Sequence, residues 1–131
     1  MRGEIKLKNT LIDALGIEII EKAHGRVVAT MPVDERTRQP FGFLHGGASV
    51  ALAETVASIG AYDLVNQENE AVAGLEINAN HIKGKRDGQV TAIGSILHKG
   101  KSTMVWEIKI VDEEENLICI SRCTLAVIKL K

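Results

Sequence analysis

The fold is decided by the stretch Gly46-Gly-Ala-Ser-Val-Ala-Leu-Ala-Glu54-Thr-Val-Ala-Ser-Ile-Gly-Ala-Tyr62. Its residues are small, apolar or hydroxyl-bearing apart from Glu54, the only charged side chain between His45 and Asp63. Such a composition predicts one long helix that is largely hidden from water. Burying an ionised carboxylate without a partner costs free energy, and no Lys or Arg lies within two helical turns of Glu54. The stretch therefore indicates either a structural ion pair or a catalytic carboxylate.

Strand-like segments lie on both sides of this helix. Before it, residues 10–15 predict a short helix capped by Asn9 or Thr10 and ended by Gly16. Residues 17–21 and 26–31 predict two strands around a turn at His24 and Gly25. After the helix, residues 71–83, 89–98, 103–111 and 117–130 predict four more strands separated by turn signals. In the first of these, odd-numbered apolar residues alternate with even-numbered polar ones, which is typical of a half-buried strand.

These elements predict an α+β fold, in which a curved sheet of five to six mostly antiparallel strands wraps around one long central helix. Residues 1–131 have the length of a single domain. The final strand is apolar on both faces, and the helix can cover only one of them. We therefore expect a homo-oligomer, with a dimer of dimers favoured.

Composition excludes several classes of function. The 16 basic and 17 acidic residues nearly balance, so no general field attracts nucleic acid or an anionic membrane. Only four aromatic residues are present, which leaves little material for stacking on bases. The first residues lack the apolar segment of a signal peptide, and the central helix is too short and too rich in small residues to span a membrane. We expect a soluble cytoplasmic protein.

The cysteines and histidines do not predict a metal centre. Cys119 and Cys123 are four residues apart in a predicted strand, so they share a face and lie too far apart to form a disulfide. Two cysteines and four dispersed histidines give no zinc-binding spacing. We expect reduced core thiols and no metal.

The start of the central helix is a candidate oxyanion site. The first N–H groups of a helix lack internal acceptors, and together with the helix dipole they stabilise a developing negative charge. Glycine at positions 46 and 47 lets a ligand approach the backbone, or merely permits a tight turn. Ser58, one turn beyond Glu54, either holds a water molecule or the Glu54 carboxylate, or bonds back to the Glu54 carbonyl.

The two candidate groups, the Gly46 N–H and the Glu54 carboxylate, are far apart along the predicted helix. Gly46 and Glu54 are eight residues apart, which is roughly 12 Å along one helix. One carbonyl group cannot contact both on the same chain. If they share a reaction centre, they come from different subunits of a twofold dimer, which forms two equivalent sites.

Two stretches resemble the hotdog-fold acyl-CoA thioesterases. They are residues 39–58, Gln-Pro-Phe-Gly-Phe-Leu-His-Gly-Gly-Ala-Ser-Val-Ala-Leu-Ala-Glu-Thr-Val-Ala-Ser, and residues 74–81, Gly-Leu-Glu-Ile-Asn-Ala-Asn-His. The resemblance covers about residues 10 to 130. It is to the branch that contains the Arthrobacter-type 4-hydroxybenzoyl-CoA and the phenylacetate-pathway thioesterases. The bacterial 1,4-dihydroxy-2-naphthoyl-CoA thioesterases are nearest, which is consistent with menaquinone biosynthesis.

The resemblance implies a role for each candidate residue. Glu54 would act as nucleophile or as general base for water, and the Gly46 N–H would polarise the thioester carbonyl. Gln39 and His45 would line the same half of the site, and Ser58 would assist the hydrolytic water. The resemblance implies that coenzyme A contacts Gly74, His81, Lys83, Gly84, His98, Lys99, Gly100, Lys101, Ser102 and Thr103. Basic and hydroxyl groups among these suit phosphate binding.

The predicted reaction is hydrolysis of an acyl-CoA, preferably with an aromatic acyl group, to a carboxylic acid and coenzyme A. It requires no metal or redox cofactor. Two alternatives remain open from the residues: a hotdog dehydratase or hydratase, and a non-catalytic protein that binds acyl-CoA. Whether Glu54 forms an anhydride or activates water is also open.

Overall fold

A computed structural model describes residues 7–131, and all the predicted helices and strands are present in it. The elements are α1 (Leu11–Leu15), β1 (Glu18–Ala23), β2 (Arg26–Pro32), α2 (Gly46–Tyr62), β3 (Glu70–His81), β4 (Gln89–Lys99), β5 (Thr103–Val111) and β6 (Leu117–Lys129). Thr10 caps α1, and Gly16 ends it in the left-handed conformation, as predicted. None of the helices in the described part of the chain combines the length and apolar character needed to cross a bilayer.

The six strands form one antiparallel sheet with the order β1-β2-β4-β5-β6-β3. Helix α2 packs against five of these strands, from β2 to β3, which confirms the predicted α+β arrangement of a sheet around one long helix. Strand β3 follows α2 in the chain, and among residues 7–131 it pairs only with β6, so it forms one edge of the described sheet. This edge position matters for the site described below.

The centre of the core is a tight contact between α2 and β5. Alternation along β5 places Met104, Trp106, Ile108 and Ile110 on one face, and all four are fully buried. Gly60 of α2 lies directly on the Trp106 ring. The ring occupies the space that a side chain at position 60 would need. A second glycine, Gly94 of β4, makes the same kind of contact with Val56. The helix approaches the sheet closely because glycine occupies the contact positions.

A β-bulge interrupts β3. Gly74 and Glu76 pair with neighbouring residues of β6, which leaves Leu75 as the extra residue of the bulge. Even-numbered residues therefore face α2 before the bulge, and odd-numbered residues face it afterwards. The prediction that odd positions form the buried face is wrong for the first half of the strand, where Ala73 and Leu75 are exposed.

The face of β6 turned away from α2 is mixed in character. It carries the half-buried Ile120 and Ala126 and the exposed Ile128, but also the exposed Arg122. Arg122 is charged, so this face is not apolar throughout, while the apolar residues expected there at positions 120, 126 and 128 are half-buried or exposed. The dimer of dimers stays a prediction.

Candidate active site

The N-terminus of α2 presents an unpaired backbone amide. His45 is the N-cap, and its Nδ1 accepts a hydrogen bond of 2.8 Å from the Gly47 N–H. In the neutral ring the hydrogen therefore lies on Nε2. The N–H groups of Ala48 and Ser49 donate to the His45 carbonyl. Within residues 7–131 the Gly46 N–H has no acceptor, which leaves it available to a ligand oxygen.

The Gln39 side chain is held by the turn that follows it. Its Oε1 accepts from the N–H groups of Phe41 at 2.7 Å and Phe43 at 3.2 Å. Gly42 closes the turn by donating to the Gln39 carbonyl at 2.9 Å, with a φ of 92°. Because the carboxamide oxygen is occupied, the orientation of the side chain is fixed and its amide N–H groups remain as donors.

Gln39 and Gly46 line one cavity of about 270 Å³, which we name the Gly46 cavity. Its wall also contains Leu44, Ser49, His81, Ile82, Lys83, Gly84 and Ile118. The imidazole of His81 lies on the Gly46 backbone, so that a Cβ at position 46 would be 3.0 Å from its Nε2. This cavity collects hydrogen-bond donors and one lysine, and it is suited to an oxygen that carries partial negative charge.

Glu54 and Ser58 line a second cavity of about 450 Å³, which we name the Glu54 cavity. The remaining wall is Leu11, Ile12, Gly47, Val50, Ala51, Thr55 and Ile59. The helix is largely buried, as predicted, but Glu54 is less buried than expected, because its side chain is only half-buried in this chain. This side of α2 lies between α1 and the β3 edge, where the carboxylate packs on Gly74.

The Glu54 carboxylate has no hydrogen bond and no ion pair within residues 7–131. A structural ion pair is therefore not the reason for this residue within the described chain. Ser58 is also available: it is Thr55, not Ser58, that bonds back along the helix, to the Ala51 carbonyl at 2.7 Å. The Glu54 carboxylate and the Ser58 hydroxyl therefore face the same cavity, and within residues 7–131 neither has a hydrogen-bond partner.

The predicted catalytic residues thus fall into separate cavities on one chain. Gln39 and Gly46 share one, and Glu54 and Ser58 share the other. His45, which the resemblance implies in the same half of the site as Gln39, caps Gly47 with its ring and lines a third cavity of about 270 Å³ beside Arg36 and Arg38. The separation along α2 is the physical reason that Gly46 and Glu54 do not converge.

The residues implied for coenzyme A also lie in different places. His81, Lys83 and Gly84 line the Gly46 cavity, whereas Gly74 lies beneath Glu54. The group made up of His98, Lys99, Gly100, Lys101, Ser102 and Thr103 lies where β4 turns into β5. That turn and the one before β4 are separated by the length of the strand, roughly 30 Å. One chain does not bring the two groups together.

Contacts between residues that are distant in sequence hold the rim of the Gly46 cavity. The Arg86 guanidinium lies 4.1 Å from the centre of the Phe43 ring, and Gly84 packs on the same ring. Leu44 N–H donates to the Lys85 carbonyl at 2.7 Å, and Arg38 donates to the Arg86 carbonyl at 2.8 Å. These residues are far apart in sequence and follow no periodicity, so no local signal reveals them.

The two cysteines are free and buried on the helix-facing side of β6. Burial raises the pKa of the Cys123 thiol to about 11, with a further contribution from the negative charges of Glu54 and Glu76. Burial also raises the pKa of Cys119. Within residues 7–131 no three His, Cys, Asp or Glu side chains come close enough together to hold a metal ion.

Comparison with known proteins gives consistent matches. A family model described as the thioesterase superfamily matches residues 41–119. The protein ComA2 of Bacillus subtilis (strain 168) is 62% identical over 123 residues, which is 94% of this chain and 98% of that protein. A 1,4-dihydroxy-2-naphthoyl-CoA hydrolase of Listeria monocytogenes serotype 1/2a (strain 10403S) is 56% identical over 119 residues, covering 91% of this chain and 96% of that enzyme.

Two solved structures are variants of the Staphylococcus aureus protein SAV0944, each 46% identical to this chain. Their TM-scores are 0.90 and 0.87, and they cover 92% and 89% of this chain and 100% and 97% of their own. In one structure alanine replaces a glutamate, and in the other alanine replaces a glutamine. With the family model matching more than half of the chain, and relatives aligned along nearly all of it, the chain belongs to the thioesterase superfamily as a thioester hydrolase with the hotdog fold.

Proposed function

We propose that this protein hydrolyses an aromatic acyl-CoA, of the 1,4-dihydroxy-2-naphthoyl or hydroxybenzoyl type, to the free acid and coenzyme A. The name of the Listeria relative, at 56% identity, supports the naphthoyl substrate. The Glu54 cavity, about 450 Å³ with mostly apolar walls, is large enough for an aromatic acyl group. Neither a hydratase nor a non-catalytic binding protein is favoured by the family match.

The identity of the catalytic residues is supported by a spacing. The glutamate and the glutamine replaced in the Staphylococcus protein are fifteen positions apart. Glu54 and Gln39 are separated by the same number of residues. The two residues replaced in that relative therefore have the same residue types and the same spacing as the two that line the separate cavities of this chain.

In the proposed reaction the Gly46 N–H and the Gln39 amide hold the thioester carbonyl oxygen, and Glu54 of the partner subunit acts on the other face of the carbonyl. As a general base, Glu54 takes a proton from water while the water oxygen bonds to the carbonyl carbon. The C–S bond then breaks, and its electron pair leaves on sulfur. Ser58 of the partner subunit holds the water. As a nucleophile, Glu54 instead forms an anhydride that water cleaves.

The free edge of β3 supports the dimer that this reaction needs. An unpaired edge strand readily pairs with another chain, and this one is 12 residues long with Leu75 exposed at 61%. Twofold pairing of β3 with a second copy would continue the sheet from one subunit into the next. Each Glu54 cavity would then face the Gly46 cavity of the partner subunit, forming two equivalent sites.

The observation that carries this proposal is the division of Gln39 and Glu54 between two cavities, and subunit mixing tests it. Glu54→Gln and Gln39→Ala should each lose about 10²–10⁴-fold in kcat. When the two inactive variants are unfolded together and refolded, mixed dimers contain one intact site. About a quarter of wild-type activity should return.

A matched control mixes Glu54→Gln with Glu54→Ala, which share the same defect and should restore nothing. If the first mixture also stays inactive although mass spectrometry detects mixed dimers, the shared site is wrong. If Glu54→Gln keeps wild-type activity, the assignment of Glu54 is wrong. A panel of naphthoyl, benzoyl and aliphatic acyl-CoA substrates, ranked by kcat/KM, tests the acyl preference.

The two routes for Glu54 are distinguished by a single turnover in ¹⁸O-labelled water. An anhydride intermediate transfers label into the Glu54 carboxylate when water attacks the protein-side carbonyl. Peptide mass spectrometry of residues around Glu54 detects that label. Label in the Glu54 carboxylate after one turnover excludes a purely general-base route.

A further inference from the structure

His81 occupies a particular place beside the helix start. It is the last residue of β3, paired across the strands with the buried Cys119, and its side chain turns toward α2. A Cβ at Gly46 would lie 3.0 Å from His81 Nε2. Because a Cα–Cβ bond is about 1.5 Å long, Nε2 lies within about 4.5 Å of the Gly46 Cα. Within residues 7–131 the His81 ring makes no hydrogen bond.

This position lies beside the expected reaction centre. If the Gly46 N–H binds the thioester oxygen, the sulfur, which is bonded to the same carbon, lies within the same small cavity. The absence of a side chain at position 46 leaves room for both the thioester and the His81 ring. The other nearby imidazole is less suitable, since His45 uses Nδ1 to cap Gly47 and faces a different cavity.

We propose that His81 is a further catalytic residue, which donates a ring N–H hydrogen bond to the departing sulfur; this rests on the proposed function. As the C–S bond breaks, its electron pair passes to sulfur and the N–H group stabilises the developing thiolate. His81 keeps its hydrogen, and the thiolate takes a proton from water after release. A donor fixed next to the site of charge development is an efficient form of stabilisation.

The proposal differs from a role for His81 in holding the nucleotide. The cavity wall brings together His81, Gln39 and Gly46, which are the groups that surround the carbonyl oxygen. Lys83, two residues further on and exposed at the same rim, adds positive potential on the side from which the thiol would leave. The two roles predict different responses to the leaving group and are separable by experiment.

The test uses two benzoyl thioesters that both lack a nucleotide. One releases N-acetylcysteamine, an alkyl thiol like that of coenzyme A, and the other releases 4-nitrothiophenol. The alkyl thiolate concentrates charge on sulfur and needs a donor, whereas the nitrothiophenolate spreads its charge into the ring. His81→Gln should lower kcat/KM about a hundredfold for the alkyl ester and leave the aryl ester unchanged within error.

His24→Gln, at an exposed histidine in the turn between β1 and β2, is the matched control and should keep both activities. Equal losses on the two esters for His81→Gln and His81→Ala would overturn the proposal and indicate a positioning role. Loss on benzoyl-CoA alone, with both nucleotide-free esters unaffected, would overturn it in favour of nucleotide binding. A wild-type protein inactive on every thioester would instead contradict the proposed function.

Discussion

The carboxylate of Glu54 packs against the backbone of Gly74, in space that any side chain at position 74 would occupy. The contact exists because the bulge at Leu75 shifts the alternation of β3 and turns Gly74 toward α2. The other end of the same strand places His81 on Gly46. One edge strand therefore supports both halves of the candidate site, which couples their geometry to the pairing of that strand.

Replacing Gly74 with alanine should lower activity without unfolding the protein. A Cβ at this position overlaps the Glu54 carboxylate, which must move away from its present place. Displacement of a catalytic group by about 1 Å costs up to about a hundredfold in rate, so we expect a fall in kcat of about tenfold to a hundredfold. Ala73→Ser, on the opposite face of the same strand, is the control and should stay active. An unchanged kcat in Gly74→Ala would contradict a fixed position for Glu54.

Much of this fold was predictable because its signals are local. The run from Gly46 to Tyr62 has the composition of a buried helix, and the helix has these bounds. The alternation in β5 correctly predicted the buried face that contains Trp106. The spacing of eight positions from Gly46 to Glu54 also predicted that the two groups do not meet on one chain, because helical rise per residue is constant.

The features that were not predicted depend on contacts between distant residues. The bulge at Leu75 arises from pairing with β6 and cannot be read from alternation within β3. The placement of His81 on Gly46 depends on where β3 crosses the helix start. The Arg86–Phe43 contact likewise joins two loops that only the folded sheet brings together. Each of these lies at the rim or floor of the candidate site.

Replacing Gln39 with glutamate should separate the two roles of its side chain. A carboxylate can still accept the N–H groups of Phe41 and Phe43, so the turn should form and the Tm should change little. It cannot donate to a substrate oxygen, so kcat should fall about a hundredfold or more. Gln39→Ala should lose both activity and stability. A Gln39→Glu variant that keeps wild-type kcat would contradict the role of the amide as a donor.

Replacing Gly60 with alanine should destabilise the protein. Alanine is the better helix former by about 1 kcal/mol, but its methyl group would overlap the fully buried Trp106 ring. Overpacking a core costs about 1–3 kcal/mol, so the packing effect should dominate and the free energy of unfolding should fall. Urea denaturation measures the change. The loss should be smaller in a Trp106→Phe background, and an equal loss there would contradict this cause.

The two cysteines should not react in the folded protein at pH 8. The pKa of Cys123 is raised to about 11, so only about one thiol in a thousand is ionised at that pH. Burial limits access as well, and it raises the pKa of Cys119 in the same direction. Titration with a chromogenic disulfide should therefore detect almost no thiol in native protein and two per chain after denaturation. Rapid reaction of the native protein would contradict the burial of both groups.

Removing the charge of Glu113 should weaken the segment behind the Gly46 cavity in a pH-dependent way. Glu113 Oε1 lies 2.6 Å from Lys85 Nζ, and its Oε2 accepts the Gln89 N–H at 2.9 Å. The hydrogen bond from Lys85 lowers the pKa of the Glu113 carboxyl. Glu113→Gln should therefore lower the Tm at pH 7, because a neutral amide cannot replace the ion pair.

The sign of the pH dependence follows from the direction of that shift. A carboxyl with a lowered pKa contributes stability above its ordinary pKa of about 4.3, and this contribution is lost as the pH falls. The Tm difference between wild type and Glu113→Gln should thus be largest near pH 7, shrink below about pH 4, and decrease with added salt because Glu113 is half exposed. Glu114→Gln, at the exposed neighbouring residue, should show no such difference. A Tm difference that is the same at pH 3 as at pH 7 would mean that Glu113 acts through packing and not through its charge.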